Sequence, residues 1–444
     1  MMKRTVFSLL SAFCLFQAAF GQSSRNQIKF VEYDLPNGLH VILHQDNTVP
    51  IVATTILYHV GSKNEEPNRT GFAHFFEHLL FEGSENIGRG EFDKYVQNAG
   101  GTLNANTSFD RTFYYELLPS NQLELSLWLE SERLMHAKVD IKGVETQREV
   151  VKEEKRQRND NQPYGNILTE VMKRAYTVHP YKSTPIGSME DLNAAKEEDY
   201  KNFYKKYYVP NNATLSIAGD IDIENTKKLI EKYFAEIPRG QEIPKVNIKE
   251  PEQKAEVRDI VYDKVQLPAV IHAYKIPAQG KEDYYAVNML MQLLSEGQSS
   301  RLNKSIKDKQ QKAIAVGAFP FSLEDDPSLA LAFAIASQGV TPEALEAAMD
   351  AEYEKVRNEL ISEEEFQKLR NQVESEFVNS NANMAGIAES LANYHVYFGN
   401  ANLINTEIEK YMKVTREDLQ RVAKKVLRRE NRVALYWLPK PAGK

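Results

Sequence analysis

Two distant stretches of this chain can be laid over each other without a gap. KEEDYKNFYKKYYVPNNATLSI (residues 196–217) and TREDLQRVAKKVLRRENRVALYW (415–437) both read as a helix followed by a strand. Asp199 meets Asp418, Lys205 and Lys206 meet Lys424 and Lys425, and Asn212 meets Asn431. Two shorter echoes accompany them: VPIVATTILYHV with LPAVIHAYKI, where Pro50 faces Pro268, and HLLFEG with QLLSEG. A sequence that repeats itself this way is confined to an architecture of two like halves. The length agrees, since 444 residues exceed what one core supports.

Within each half the periods alternate. IKFVEYDLPNGLHVILHQD changes side every second residue around Pro36-Asn37-Gly38, as a hairpin does. PIVATTILYHVGS reads as a buried strand, residues 70–81 and GEFDKYVQNAG as helices, and GTLNANTSFDRTFYYELLP as paired strands. Residues 120–158 are helical in pattern, and a β-α alternation then returns up to Ala235. The class expected is α+β, each half an antiparallel sheet packed with long helices. A polar stretch with Pro238, Gly240, Pro244 and Pro251 separates the halves. The expected divisions are a leader over 1–21, a first domain over 22–238, a linker over 239–262 and a second domain over 263–444.

The leader begins with Lys3 and Arg4, continues through an apolar run from Val6 to Phe20, and offers Ala19-Phe20-Gly21 as a cleavage site. The run is too short for a membrane span, and no later segment is apolar enough for one. Cys14 is the only cysteine and lies inside the leader, so the mature chain carries no disulfide. Cleavage takes the formal charge from −7 to −9, and no basic patch interleaved with aromatics is present, which argues against nucleic acid as the main partner. An exported chain without a stable membrane anchor is expected, in the periplasm.

The echo of HLLFEG isolates the unusual residues. Asn288, Met291 and Gln292 occupy the positions of His74, Glu77 and His78, so the fold forms without those three side chains. On a helix, residues four apart share a face, and His74 and His78 can direct two imidazoles at one zinc ion. Glu77 lies beside them, within reach of a proton on a metal-bound water. Zinc then needs a third protein ligand, naturally a carboxylate from a neighbouring helix, and an open fourth position. The order His-x-x-Glu-His has its own class of zinc enzymes.

With HFFEH go GGTLNANTSFDRTFYYELLP, REVVKEEKRQRNDNQPYG and HPYKSTPIGSMEDL, in order, over nearly the whole mature chain. Together these resemble the insulinase/pitrilysin family of zinc peptidases, in its short-chain bacterial branch. The resemblance implies one zinc per chain and a third ligand 76 residues past His78, which is Glu154. Its neighbour Glu153 points about 100° away on a helix. Many relatives carry another glutamate two turns earlier to support the ligands; Gln147 stands there and brings no charge. The implied reaction is hydrolysis of short unstructured peptides, with Glu77 as general base and the substrate laid along the strand holding Asn104 and Ala105.

The other histidines take structural readings: His40, His44 and His59 lie in strands, His136 ends a helix, and His179 belongs to a loop. The Tyr-rich residues 200–208 read as packing. Fused and paired family members grip substrate with an arginine and a tyrosine from a non-catalytic half. The corresponding positions here are Ala332 and Gly339, while Arg301 belongs to another motif. A heterodimer with a sister subunit lacking HxxEH is therefore expected, with a homodimer as the other form. The alternatives from other classes are a non-catalytic subunit that stabilises a partner, and an exported protein that sequesters metal or peptide.

Overall fold

The computed structural model describes residues 27–441. The leader expected over 1–21, with Cys14, lies outside them. The first half holds strands β1 (Val31–Asp34), β2 (His40–Gln45), β3 (Ile51–Tyr58), β4 (Thr102–Thr107), β5 (Thr112–Pro119) and β6 (Ala213–Gly219). Its helices are α1 (Phe72–Leu79), α2 (Phe92–Asn98), α3 (Leu123–Met135), α4 (Ile141–Lys155), α5 (Ile167–Ala175), α6 (Met189–Ala194), α7 (Glu197–Tyr207) and α8 (Ile223–Phe234). The second half holds β7 (Val257–Asp263), β8 (Ala269–Ile276), β9 (Ala313–Phe321), β10 (Ser328–Ala336) and β11 (Arg432–Pro439). With them come α9 (Tyr284–Ser295), α10 (Pro342–Asn358), α11 (Glu363–Ser380), α12 (Met384–Phe398), α13 (Leu403–Met412) and α14 (Arg416–Val426).

The sheets run β1-β2-β6-β3-β5-β4 and β7-β11-β8-β10-β9. Their strand orders correspond, except that among the described residues β7 has no counterpart of β1 beside it. The antiparallel expectation needs one amendment in each: β2 pairs with β6, and β7 with β11, in parallel. Each of β2 and β7 meets its parallel neighbour only when the chain returns at the end of that half, and a crossover of that length permits parallel pairing. The stretch expected as linker contains β7, which starts at Val257. Ahead of it Glu250 is buried, accepting from the backbone N–H groups of Thr177, Val178 and His179 at 2.8, 3.1 and 2.9 Å.

The repeat holds down to single hydrogen bonds. The amide of Asn212 donates to the carbonyls of Tyr207 and His59, and that of Asn431 to Val426 and Lys275. Asp199 and Asp418 each accept the backbone N–H three residues back, of Lys196 and Thr415, and so close the first turns of α7 and α14.

Each sheet is covered on one face by its own helices and on the other by a helix from the opposite half. Helix α12 lies across β2, β3 and β6, where Met384, Ile387, Ala388 and Leu391 pack on Ile42, Ala53 and Ala218. Reciprocally, Val171, Met172 and Ala175 of α5 pack on Ala269, Ile271, Val433 and Trp437. This exchange explains why β6 is buried along its whole length and β3 from Val52 onward. Burying a side chain the size of leucine contributes about 1.5–3 kcal/mol, so several such residues in each direction bind the halves into one unit.

Candidate metal centre

Helix α1 begins at Gly71, whose φ of 93° is left-handed. Gly187 packs so closely that a Cβ on it would stand 2.6 Å from the Gly71 Cα, which leaves room for glycine alone. The first backbone N–H groups of the helix are taken by the buried Glu65 carboxyl, at 2.8 Å from both Gly71 and Ala73. Phe72, Phe75 and Phe76 then face α7, stacking on Tyr200 and Phe203. The Tyr-rich segment is indeed packing, and it holds the apolar side of α1. The opposite side carries His74 and His78 toward α4.

There Glu154 Oε2 stands 3.0 Å from His78 Nε2 and 3.5 Å from His74 Nε2. The edge of a zinc tetrahedron with bonds of about 2.0–2.1 Å is about 3.4 Å, so these three donors are spaced as ligands of one ion. Two imidazoles and a carboxylate are also the donor set zinc accepts. The imidazole planes are nearly perpendicular, at 84°, which lets both point at a common centre. Burial holds His74 down to about 4, with His78 adding to the effect, so the ring is neutral at pH 7 and its lone pair is available. A hydrogen bond from His78 keeps the Glu154 carboxyl below its ordinary value. Its Oε1 forms an ion pair with Arg158 at 2.6 Å. Glu153 points away, half-exposed, into Arg156 and Gln157.

Glu77 is half-buried beside the trio. Burial pushes its carboxyl above the usual range, while the Thr107 hydroxyl and His78 pull the other way. A raised value suits a base that must take a proton near neutral pH and give it up again. Thr107 ends β4, which among the described residues pairs only with β5 and so presents a free edge. On that edge Asn104 is exposed, and its side-chain oxygen accepts the Ala105 N–H at 2.8 Å.

Gln147 lies two turns before Glu154 on α4 and turns its side chain to Glu82. Its amide donates to Glu82 at 2.5 Å and its carbonyl oxygen is buried without a hydrogen-bond partner. In the second half, Met291 is core and Gln292 donates to Glu376 at 2.7 Å, an amide standing where the first half has the His78 imidazole. Ala332 is buried in β10, Gly339 follows that strand, and Arg301 is held by Glu365. Sequence reasoning missed Glu65, Glu82 and Thr107, which stand in no spacing that signals their contacts, and Arg158, whose position four residues past Glu154 could have signalled its ion pair.

Among the described residues one other group gathers metal-binding side chains, Glu32, His40 and His395. Its rings are stacked 3.4 Å apart at 8°, however, and a ligand nitrogen binds in its ring plane. No single ion lies in both planes.

Residues 40–188 match the insulinase family (peptidase family M16), and residues 195–373 match the peptidase M16 inactive domain. The chain is 33% identical to a zinc protease of Helicobacter pylori, PqqE, over 410 residues, which is 91% of this chain and 92% of the relative. It is 25% identical to an uncharacterized zinc protease of Bacillus subtilis, YmxG, over 67% of this chain and 72% of that one. Among solved structures, a protease from Helicobacter pylori superposes with a TM-score of 0.89 at 31% identity, covering 93% of this chain and all of that one. An M16 inactive domain from Pseudomonas fluorescens gives 0.84 at 18% identity, over 94% and 99% of the two chains.

Proposed function

The chain belongs to the insulinase family of peptidases, M16, and on that premise we propose that it is a zinc-dependent metalloendopeptidase acting on short unstructured peptides. The observation that carries the reading is the convergence of His74, His78 and Glu154 at ligand spacing, with Glu77 alongside. Zinc held by those three residues would polarise the scissile carbonyl and lower the pKa of a water in its open position. Glu77 takes the proton of the attacking water and hands it to the leaving amine. The free edge of β4 offers backbone groups to an extended peptide, which adds to the sheet as a further strand. Asn104 must release the Ala105 N–H for that strand to pair there.

The wider assignment follows the same residues. With Ala332 and Gly339 at the positions that grip substrate in fused and paired relatives, a second family subunit completes the site. Among the described residues no helix is long and apolar enough to cross a membrane. The leader pattern of residues 1–21 supports export to the periplasm.

The test is hydrolysis of a quenched, unstructured peptide by the chain from residue 22 onward, with zinc quantified on the same sample. Glu77→Gln is expected to retain one zinc and to lose about 10²–10⁴ in turnover. One zinc with no turnover in the wild-type chain alone supports the half-site that awaits a sister subunit, whereas turnover by the chain alone removes the second subunit from the reading. A wild-type chain without zinc removes the peptidase reading.

A further inference from the structure

Beyond its contacts through the candidate ligands, α4 is tied to α1 by a chain of polar groups. Glu82, just past the end of α1, is buried at 8% exposure. One of its carboxylate oxygens accepts from Gln147 Nε2 at 2.5 Å, and the other pairs with Arg89. Arg89 in turn donates to Asp140 at 3.1 Å. Asp140 is the residue that caps α4, accepting the Gly143 N–H at 2.8 Å. Gln147 and Glu154 are seven residues apart, two turns of one helix, and therefore lie on the same face. α4 and its cap thus meet α1 and the segment that follows it at three points: Glu154 with the histidines, Gln147 with Glu82, and Asp140 with Arg89.

We propose that Glu82, acting through Gln147 and Arg89, is the positioning residue that sets the distance between the histidines of α1 and Glu154 of α4. The inference rests on the zinc reading of that site. Val144 and Val151 hold α4 in the core, and the two polar links add a fixed distance between Glu154's face of the helix and the segment that leads out of α1. Zinc tolerates only about 0.2 Å in its ligand distances, so a small pivot is felt as lost affinity. Among the described residues the side-chain partners of the buried Glu82 carboxylate are Gln147 and Arg89, and neither imidazole is one of them.

The test is zinc affinity, measured by chelator competition on the folded chain, in wild type, Glu82→Gln, Gln147→Glu and the double exchange. Glu82→Gln is expected to weaken zinc by about 10–100-fold, the scale of outlying residues that orient ligands. Gln147→Glu alone sets two carboxylates against each other and is expected to weaken it too. The double exchange keeps one carboxylate and one amide across the same gap and is expected to recover most of the loss. An unchanged affinity in Glu82→Gln, even with a lowered melting temperature, overturns the proposal by making the residue merely structural. So does a double exchange that binds no better than Glu82→Gln. If Glu82→Gln does not fold, Gln147→Leu removes the hydrogen bond and leaves the Glu82–Arg89 pair. Weakened zinc is expected in that variant, and an unchanged affinity there overturns the proposal equally. A wild-type chain that binds no zinc instead fails the metallopeptidase reading itself.

Discussion

Leu391 sits on α12, in the second half by sequence, yet it is fully buried against the sheet of the first half. Leu391→Ala removes its side chain from a site that cannot refill from solvent, and the transfer and cavity contributions together come to about 3 kcal/mol. Met172 makes the reverse excursion from α5 onto the second sheet, is equally buried, and carries a similar cost. If the exchanged helices bind the halves into one cooperative unit, each substitution must destabilise both halves alike. The chain supplies the reporters, because its only two tryptophans are Trp128 in α3 and Trp437 in β11. Urea unfolding followed by fluorescence in Trp437→Phe reads the first half, and in Trp128→Phe the second. With a slope of at least about 3 kcal/mol per molar for a chain this long, Leu391→Ala should lower the midpoint by up to about 1 M in both backgrounds. Coincident transitions that shift together are expected. Two separate transitions, with Leu391→Ala moving only the Trp437 signal, would refute the reasoning that the exchange couples the halves.

Burial has raised the Glu77 carboxyl above the ordinary glutamate value of 4.5. The acid limb of kcat/KM should therefore lie above pH 4.5, because this base is protonated sooner than an exposed glutamate; a limb at or below that value contradicts this. Burial opposes the charge on Glu250, but the N–H groups of His179, Thr177 and Val178 outweigh it and bring the carboxyl from 4.5 to about 2. Its contribution is thus present above about pH 4.5 and is lost as the pH falls toward 2. Glu250→Gln should cost about 2 kcal/mol at pH 7, and melting curves should show that deficit shrinking through the same interval.

The elements near the site were legible because their signals are local. Alternation and three-to-four spacing report strands and helices over a few residues, and HFFEH puts two imidazoles on one face through helix geometry alone. The repeat was legible too, since matching an internal copy needs no knowledge of contacts. Glu154 was reachable only through the family spacing, because nothing within α4 says which of its acidic residues meets α1. Glu65 and Glu82 stood in no recognisable pattern, unlike Arg158, which lies one helical turn past Glu154. Their roles arise from where separate segments come to rest.

The sequence by itself determined two like halves of mixed α and β structure, a zinc-type motif in the first and its absence from the second. Those properties are written in periodicity and in residue identity, which act within a turn or a strand. Only the tertiary structure decided that α5 and α12 change places between the sheets, that β7 is drawn out of the linker, and that Gln147 turns to Glu82 rather than to the imidazoles. Each of these depends on which buried surface or charge finds a partner across long sequence separation. That choice is made by the packing of the whole chain and leaves no local periodicity behind.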